Sequence, residues 1–269
     1  MADRLGIVAG SGQLPRRVFQ AHPEAYCVTL RGMSHDLPAG VAHEHRIERL
    51  GALFEDLHSQ GVTRVVMAGA MARPQLDPTC FDAETADLAA AFEIALHQGD
   101  DALLRHIITL FEDRGFDVVG AHQLVSGLTA PAGMLCGSEP DETAQRDADL
   151  AIDILSALAP LDLGQTSIVA GGQCLGIETL QGTDALLKMA AATPAHIRPR
   201  APGVLVKLPK RGQDLRVDMP TIGPRTIEGA LRAGLGGIVI AADSVLILER
   251  DTTLSAARDG GLFVQARDV

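Results

Sequence analysis

"RLGIVAG", Arg4 to Gly10, is an apolar run that ends on glycine and gives way to a helical pattern from Pro15 through Ala21. The alternation then repeats. "AYCVTLRG" (25–32) reads as a second strand, and "RIERLGALFEDLHSQG" (46–61) places Ile47, Leu50, Leu53 and Leu57 at helical spacing before stopping at Gly61. "VTRVVMAGA" (62–70) is a third buried strand, helical stretches follow over 84–97 and 102–113, and "GFDVVGA" (115–121) is a fourth strand. Strands of a parallel sheet are buried on both faces, so they read as continuous Val/Ile runs separated by helices. The first half, residues 1–131, is therefore predicted to be a doubly wound, Rossmann-like domain.

"LTAPAGMLCGSEPDE" (128–142) breaks this rhythm with Pro131, Gly133, Gly137 and Pro140, and residues 132–140 read as a linker. Beyond it, Ala144, Ala148, Ala151, Leu155 and Leu158 form one helix face. Strand-like "TSIVAGGQCLGIETL", a helix over 184–192, strand-like "GVLVKLPK", a helix over 226–233, and strands "GIVIAAD" and "SVLILER" complete a second α/β domain over 141–269. The apolar fraction of 46% supports two cores, built from Ala, Val, Leu and Ile because the chain has no Trp and one Tyr.

A net charge of -11 argues against a general nucleic-acid binder and requires any anionic ligand to be held by a local cluster of cations. The cysteines Cys27, Cys80, Cys136 and Cys174 are far apart and form no C-x-x-C, which predicts reduced thiols with neither a disulfide frame nor a zinc site. No signal-peptide pattern opens the sequence, and no apolar run reaches the ~20 residues of a membrane span, so a soluble cytoplasmic protein is expected.

Several segments carry candidate chemistry. Gly10-Ser11-Gly12 lies between the first strand and first helix, where backbone N–H groups favour phosphate, but Pro15 replaces the third glycine of a dinucleotide fingerprint. The segment is either a tight turn or an anion site. Arg73, after "MAGA", faces an anion or solvent, and Asp100 and Asp101 cap a helix or bind a metal or hydroxyl. Gly171-Gly172-Gln173 interrupts an apolar strand run, which signals a bend or close backbone approach. Thr183 and Asp184 open a helix on which Lys188 lies one turn after Asp184. Lys207, Lys210, Arg211 and Gln213 then precede Asp214, Arg216 and Asp218, which share a face if their segment is a strand. Two carboxylates beside a guanidinium suit Mg²⁺ with phosphate, or the solvent side of a hairpin.

Taken together, "GIVAGSGQLP", "MAGAMARP", "QGDDALLR", "GQTSIVAGGQCLGIETLQGTD" and "LVKLPKRGQDLRVDMPTIGPRT" resemble, in order and over almost the whole chain, the UDP-2,3-diacylglucosamine pyrophosphatases of the LpxI type. The resemblance implies an N-terminal Rossmann-like domain joined to a C-terminal α/β domain of unusual topology. It also implies Mg²⁺-dependent hydrolysis of UDP-2,3-diacylglucosamine to 2,3-diacylglucosamine 1-phosphate (lipid X) and UMP, in lipid A biosynthesis. Asp214, Asp218, Arg225, Lys188 and Lys207 are the catalytic candidates, with Asp214 and Asp218 on the metal. Gly10, Ser11, Gly12, Arg73, Gly171, Gly172, Gln173, Thr183, Asp184, Lys210, Gln213, Arg216, Thr221, Ile222 and Gly223 are the substrate-binding candidates. The expected partners are a glycolipid nucleotide, the cytoplasmic face of the inner membrane through peripheral contact, and a second copy in a homodimer.

One position departs from the family pattern, which has an acidic residue after "PTIGP". Here that residue is Arg225. Either it replaces a catalytic acid and impairs turnover, or it is a loop residue and catalysis rests on Asp214 and Asp218. Two other functions compete: a carrier that holds a lipid phosphate without cleaving it, and a nucleotide-dependent oxidoreductase. The second lacks both the full glycine fingerprint and an acid at the end of the second strand.

Overall fold

The computed structural model describes residues 3–71, 76–98 and 100–269, and all their side chains except those at positions 96, 98, 100 and 101. The protein is α/β and divides into two compact units. Met1–Ser126 and Asp214–Asp218 form the first, and Gly127–Gln213 with Met219–Val269 form the second.

The first unit contains β1 (Arg4–Ala9), α1 (Gln13–Ala21), β2 (Tyr26–Leu30), β3 (Ala42–His45), α2 (Leu50–Ser59), β4 (Val62–Ala68), α3 (Ala83–Gln98), α4 (Asp100–Glu112), β5 (Asp117–Val118) and α5 (Ala121–Leu124). Its strands pair in the order β3-β2-β1-β4-β5, all parallel. The four strands expected from the sequence are β1, β2, β4 and β5. The fifth, β3, reads Ala-His-Glu-His and occupies an edge, where half of each residue meets solvent and no apolar run is required. Val8, Val28, Leu53, Phe54, Val65 and Phe111 are among the side chains that fill the core.

The second unit contains β6 (Gly133–Cys136), α6 (Glu142–Leu158), β7 (Thr166–Ala170), β8 (Gln173–Ile177), α7 (Gly182–Ala191), β9 (Val204–Lys207), β10 (Thr221–Ile222), α8 (Pro224–Arg232), β11 (Gly237–Ala241), β12 (Leu246–Ile247), α9 (Arg250–Asp259) and β13 (Phe263–Arg267). Its main sheet has the order β6-β13-β11-β9-β7-β8. Strands β13, β11 and β9 run parallel, while β6, β7 and β8 each run antiparallel to their neighbours. Strands β10 and β12 form a separate parallel pair.

Gly133–Cys136 fall in the stretch that reads as a linker, yet they form edge strand β6 on β13. Pro131 and Pro140 bound that strand. The run around Gly171-Gly172 is not one bent strand but two, β7 and β8, joined by the glycine pair as a two-residue hairpin turn. Both glycines have positive φ, 54° and 75°, the backbone that such a turn demands and that only glycine adopts readily. No described helix is long and apolar enough to cross a membrane.

Candidate functional site

Lys207 is the last residue of β9, at the carboxyl end of the parallel strands, and only 6% of it is exposed. Its Nζ donates to Thr183 Oγ1 at 2.6 Å and lies 3.8 Å from Glu178 Oε2. Thr183 Oγ1 donates to Glu178 Oε1 at 3.0 Å, and Thr166 Oγ1 donates to Glu178 Oε2. The Glu178 N–H is in turn fixed on the Thr166 carbonyl at 2.8 Å. The structure thus brings together two of the expected residues, Lys207 and Thr183, and adds two that were not among the candidates, Thr166 and Glu178. The available signal was Thr166 and Glu178 themselves, polar positions at the two ends of an apolar run.

Helices α7 and α8 flank a cleft of about 600 Å³ lined by Asp184, Leu187, Lys188, Arg225, Glu228 and Arg232, among others. Helix α8 starts on Gly223, whose N–H donates to Thr226 Oγ1 at 3.3 Å, with Pro224 in the first turn. Asp184 pairs across the cleft with Arg225, 3.7 Å away, rather than with Lys188 on its own helix. The Arg225 side chain is 88% exposed, so this pair is solvated and weak. Thr221 Oγ1 donates to the Met219 carbonyl at 3.1 Å, and the Ile222 side chain is fully buried in the core.

Other candidates are tied into the fold. The N–H groups of Gly171 and Gly172 donate to the two carboxylate oxygens of buried Asp147 at 2.8 and 2.7 Å. Gln173 is exposed at the start of β8. Lys210 pairs with Asp162 at 2.9 Å, and Gln213 Oε1 accepts from the Lys210 N–H and from Gln165 Nε2.

In the first unit, residues 214–218 form a turn and not the strand that would align Asp214, Arg216 and Asp218. The N–H groups of Val217 and Asp218 both donate to the Asp214 carbonyl, at 3.3 and 3.1 Å. Arg216 folds back on Asp214, with Nε 3.0 Å from Oδ1 and Nη2 2.7 Å from Oδ2. Its Nη1 donates to Glu112 Oε1 at 2.7 Å and to the Val118 carbonyl at 3.3 Å. Hydrogen bonds from Arg216 hold the Asp214 carboxyl below the usual carboxylate value, while the Asp214 and Glu112 carboxylates raise the Arg216 guanidinium.

The glycine turn is also engaged. Gly10 N–H donates to the Ala68 carbonyl, Ser11 pairs with Ala70 in both directions, and Gly12 N–H meets Asp36 Oδ2 at 2.9 Å. A Cβ on Gly10 would lie 2.5 Å from the Ala70 oxygen, so this position needs glycine for a close backbone crossing. Asp36 occupies the anion-favouring end of α1. Arg73 and the side chains of Asp100 and Asp101 lie outside the described residues, although α4 does begin at Asp100.

No three His, Cys, Asp or Glu side chains gather as a metal cluster among the described residues. Asp214 has both oxygens on Arg216, and Asp184 meets Arg225. A divalent ion held by so few of these carboxylates would complete its oxygen shell with substrate phosphates and water.

Two family models match the chain, the LpxI N-terminal domain over residues 4–128 and the LpxI C-terminal domain over residues 131–265. The chain is also similar to the UDP-2,3-diacylglucosamine pyrophosphatase LpxI of Caulobacter vibrioides, with 38% identity over 273 residues covering 98% of each chain.

Proposed function

The chain belongs to the LpxI family, and from that premise we propose that it is a hydrolase of UDP-2,3-diacylglucosamine, cleaving the pyrophosphate to give 2,3-diacylglucosamine 1-phosphate and UMP in lipid A biosynthesis. The observation that carries this reading is the 38% identity to a pyrophosphatase along 98% of both chains. The buried Lys207–Thr183–Glu178 group supports it chemically. A pyrophosphate concentrates negative charge on adjacent phosphoryl groups, and an ammonium fixed before substrate arrives meets that charge with little reorganisation.

In this reading Lys207 is the fixed cation, and Lys188 and Lys210 supply further positive charge. Asp218 is the carboxylate assigned to Mg²⁺, with Asp214 shaping its turn through Arg216. The bound ion would supply positive charge to the phosphoryl oxygens as the bridging bond breaks. A diacylated substrate also requires peripheral contact with the cytoplasmic face of the inner membrane. Leu161, Leu180 and Ile197 of the second unit, 65%, 93% and 60% exposed, support such contact.

Arg225 sets the rate in this proposal. Where the family pattern has an acid, a cation offers no oxygen to a divalent metal and pairs with substrate phosphate instead, so turnover is reduced relative to an acid at this position. UMP release from UDP-2,3-diacylglucosamine, with and without Mg²⁺, tests both statements. The expected result is Mg²⁺-dependent release that rises at least about tenfold, a barrier change of about 1.4 kcal/mol, in Arg225→Asp. Equal rates would place catalysis on the other acids. Retention of lipid phosphate with no release by either form would support a carrier instead.

A further inference from the structure

Glu178 has no step of its own in the proposed hydrolysis, yet its carboxylate helps to fix a group that does, the Lys207 ammonium. The arrangement has a direction. The Thr183 hydroxyl has one proton, which goes to Glu178 Oε1, and this turns a lone pair toward the Lys207 ammonium. Thr166 gives its proton to the other carboxylate oxygen. Only an ionised carboxylate accepts from both threonines and also attracts the ammonium. A neutral amide at this place would present an NH₂ to one of the hydroxyls, and that hydroxyl would have to turn.

Burying such a charge pair is a poor way to stabilise a fold, since neutral side chains of similar shape commonly serve as well. The side chains of Lys207 and Glu178 are nevertheless only 8% and 14% exposed. We propose that Glu178 is a positioning residue that, through Thr183, holds the Lys207 ammonium in one orientation at the carboxyl end of β9, ready for a phosphoryl oxygen of the substrate. The proposal rests on the hydrolase reading for what Lys207 does, but not for how Lys207 is held.

Glu178→Gln and Glu178→Asp separate the possibilities through kinetics of UMP release and the ¹⁵N NMR signal of the Lys207 ammonium. A buried, hydrogen-bonded ammonium exchanges slowly enough to be seen. The expected result is a fall in kcat of about tenfold or more in Glu178→Gln, with KM little changed and with partial recovery in Glu178→Asp, which keeps the charge. Wild-type kcat in Glu178→Gln overturns the proposal. So does an equal loss in both variants that follows their unfolding temperatures. Should the wild-type protein release no UMP, the hydrolase reading falls and the NMR signal decides the positioning alone. Broadening in Glu178→Gln with recovery in Glu178→Asp supports it, and an unchanged signal in Glu178→Gln overturns it.

Discussion

Arg216 illustrates how one guanidinium can define a local structure. It closes a two-residue loop onto Asp214 and reaches Glu112 and the Val118 carbonyl, so that a turn is clamped at four points. Removing it in Arg216→Met strands three acceptor groups, the Asp214 and Glu112 carboxylates and the Val118 carbonyl, and should cost about 1–3 kcal/mol at pH 7. The pH dependence follows from Asp214, whose carboxyl is depressed in the folded state. Its contribution is fully present above the unfolded carboxyl value of about 4 and is lost as pH falls through the folded value. Urea unfolding of the two proteins should therefore differ more at pH 7 than at pH 3. A gap of the same size at both values would remove the ion pair as its source. Arg225 behaves differently. It sits in the first turn of α8, where the helix dipole disfavours a cation by about 0.3–1 kcal/mol, and its exposed pair with Asp184 returns a similar amount. Arg225→Asp should leave the unfolding temperature nearly unchanged, so that any change in rate reflects chemistry. Calorimetry of the variant checks this before kinetics are interpreted.

At the scale of elements, the β7–β8 hairpin depends on a single buried carboxylate. Asp147 projects from α6 and accepts both turn amides, which couples a helix to the tip of the sheet's last hairpin. Asp147→Asn keeps the shape but can satisfy only one of the two N–H groups, and should cost about 1.5–3 kcal/mol by denaturant unfolding. Gly172→Ala, which has open space for a Cβ but φ of 75°, should cost only about 1–2 kcal/mol of backbone strain. Equal costs would mean that the turn conformation, and not the carboxylate, governs the hairpin. The sequence shows why this element was only half legible. Both flanks of Gly171-Gly172 are apolar, so periodicity alone cannot tell a bend from a reversal of direction. Central strands such as β1, β4 and β11 are readable because burial on both faces favours stretches rich in Val, Ile and Ala, broken in β4 only by Thr63, Arg64 and Met67. Edge strand β3 and the two-residue strand β10 carry no such requirement and are not revealed by local composition, whereas β12 lies within the strand-like run "SVLILER". Lys207 is legible as a cation within the strand-like run "GVLVKLPK" and Thr183 as a helix-start residue, whereas the place of Glu178 beside them depends on a hairpin register that no short motif encodes.

The path of the chain through the whole molecule has a consequence for stability. The boundary between the units lies after Ser126, but five later residues, Asp214–Asp218, belong to the first unit. The sequence gives little sign of this, because "DLRVD" alternates charge and apolar residues as a strand of the second half would. What holds the segment is tertiary. Val217 packs against the core that contains Val65, Phe111 and Val118, and Arg216 binds Glu112 at the end of α4. A conservative truncation should thus report which unit owns the segment. Val217→Ala removes two methyl groups from a partly buried contact and should cost about 0.5–2 kcal/mol. Because native proteins open in cooperative regions, that cost should raise amide hydrogen exchange in β1, β4 and β5 while β9 and β11 keep wild-type protection. Faster exchange confined to β9 and β11 would assign the segment to the second unit. Equal acceleration in both sheets would show that the two units open together, and the Asp218 turn would then be as stable as the entire molecule rather than as stable as the first unit alone.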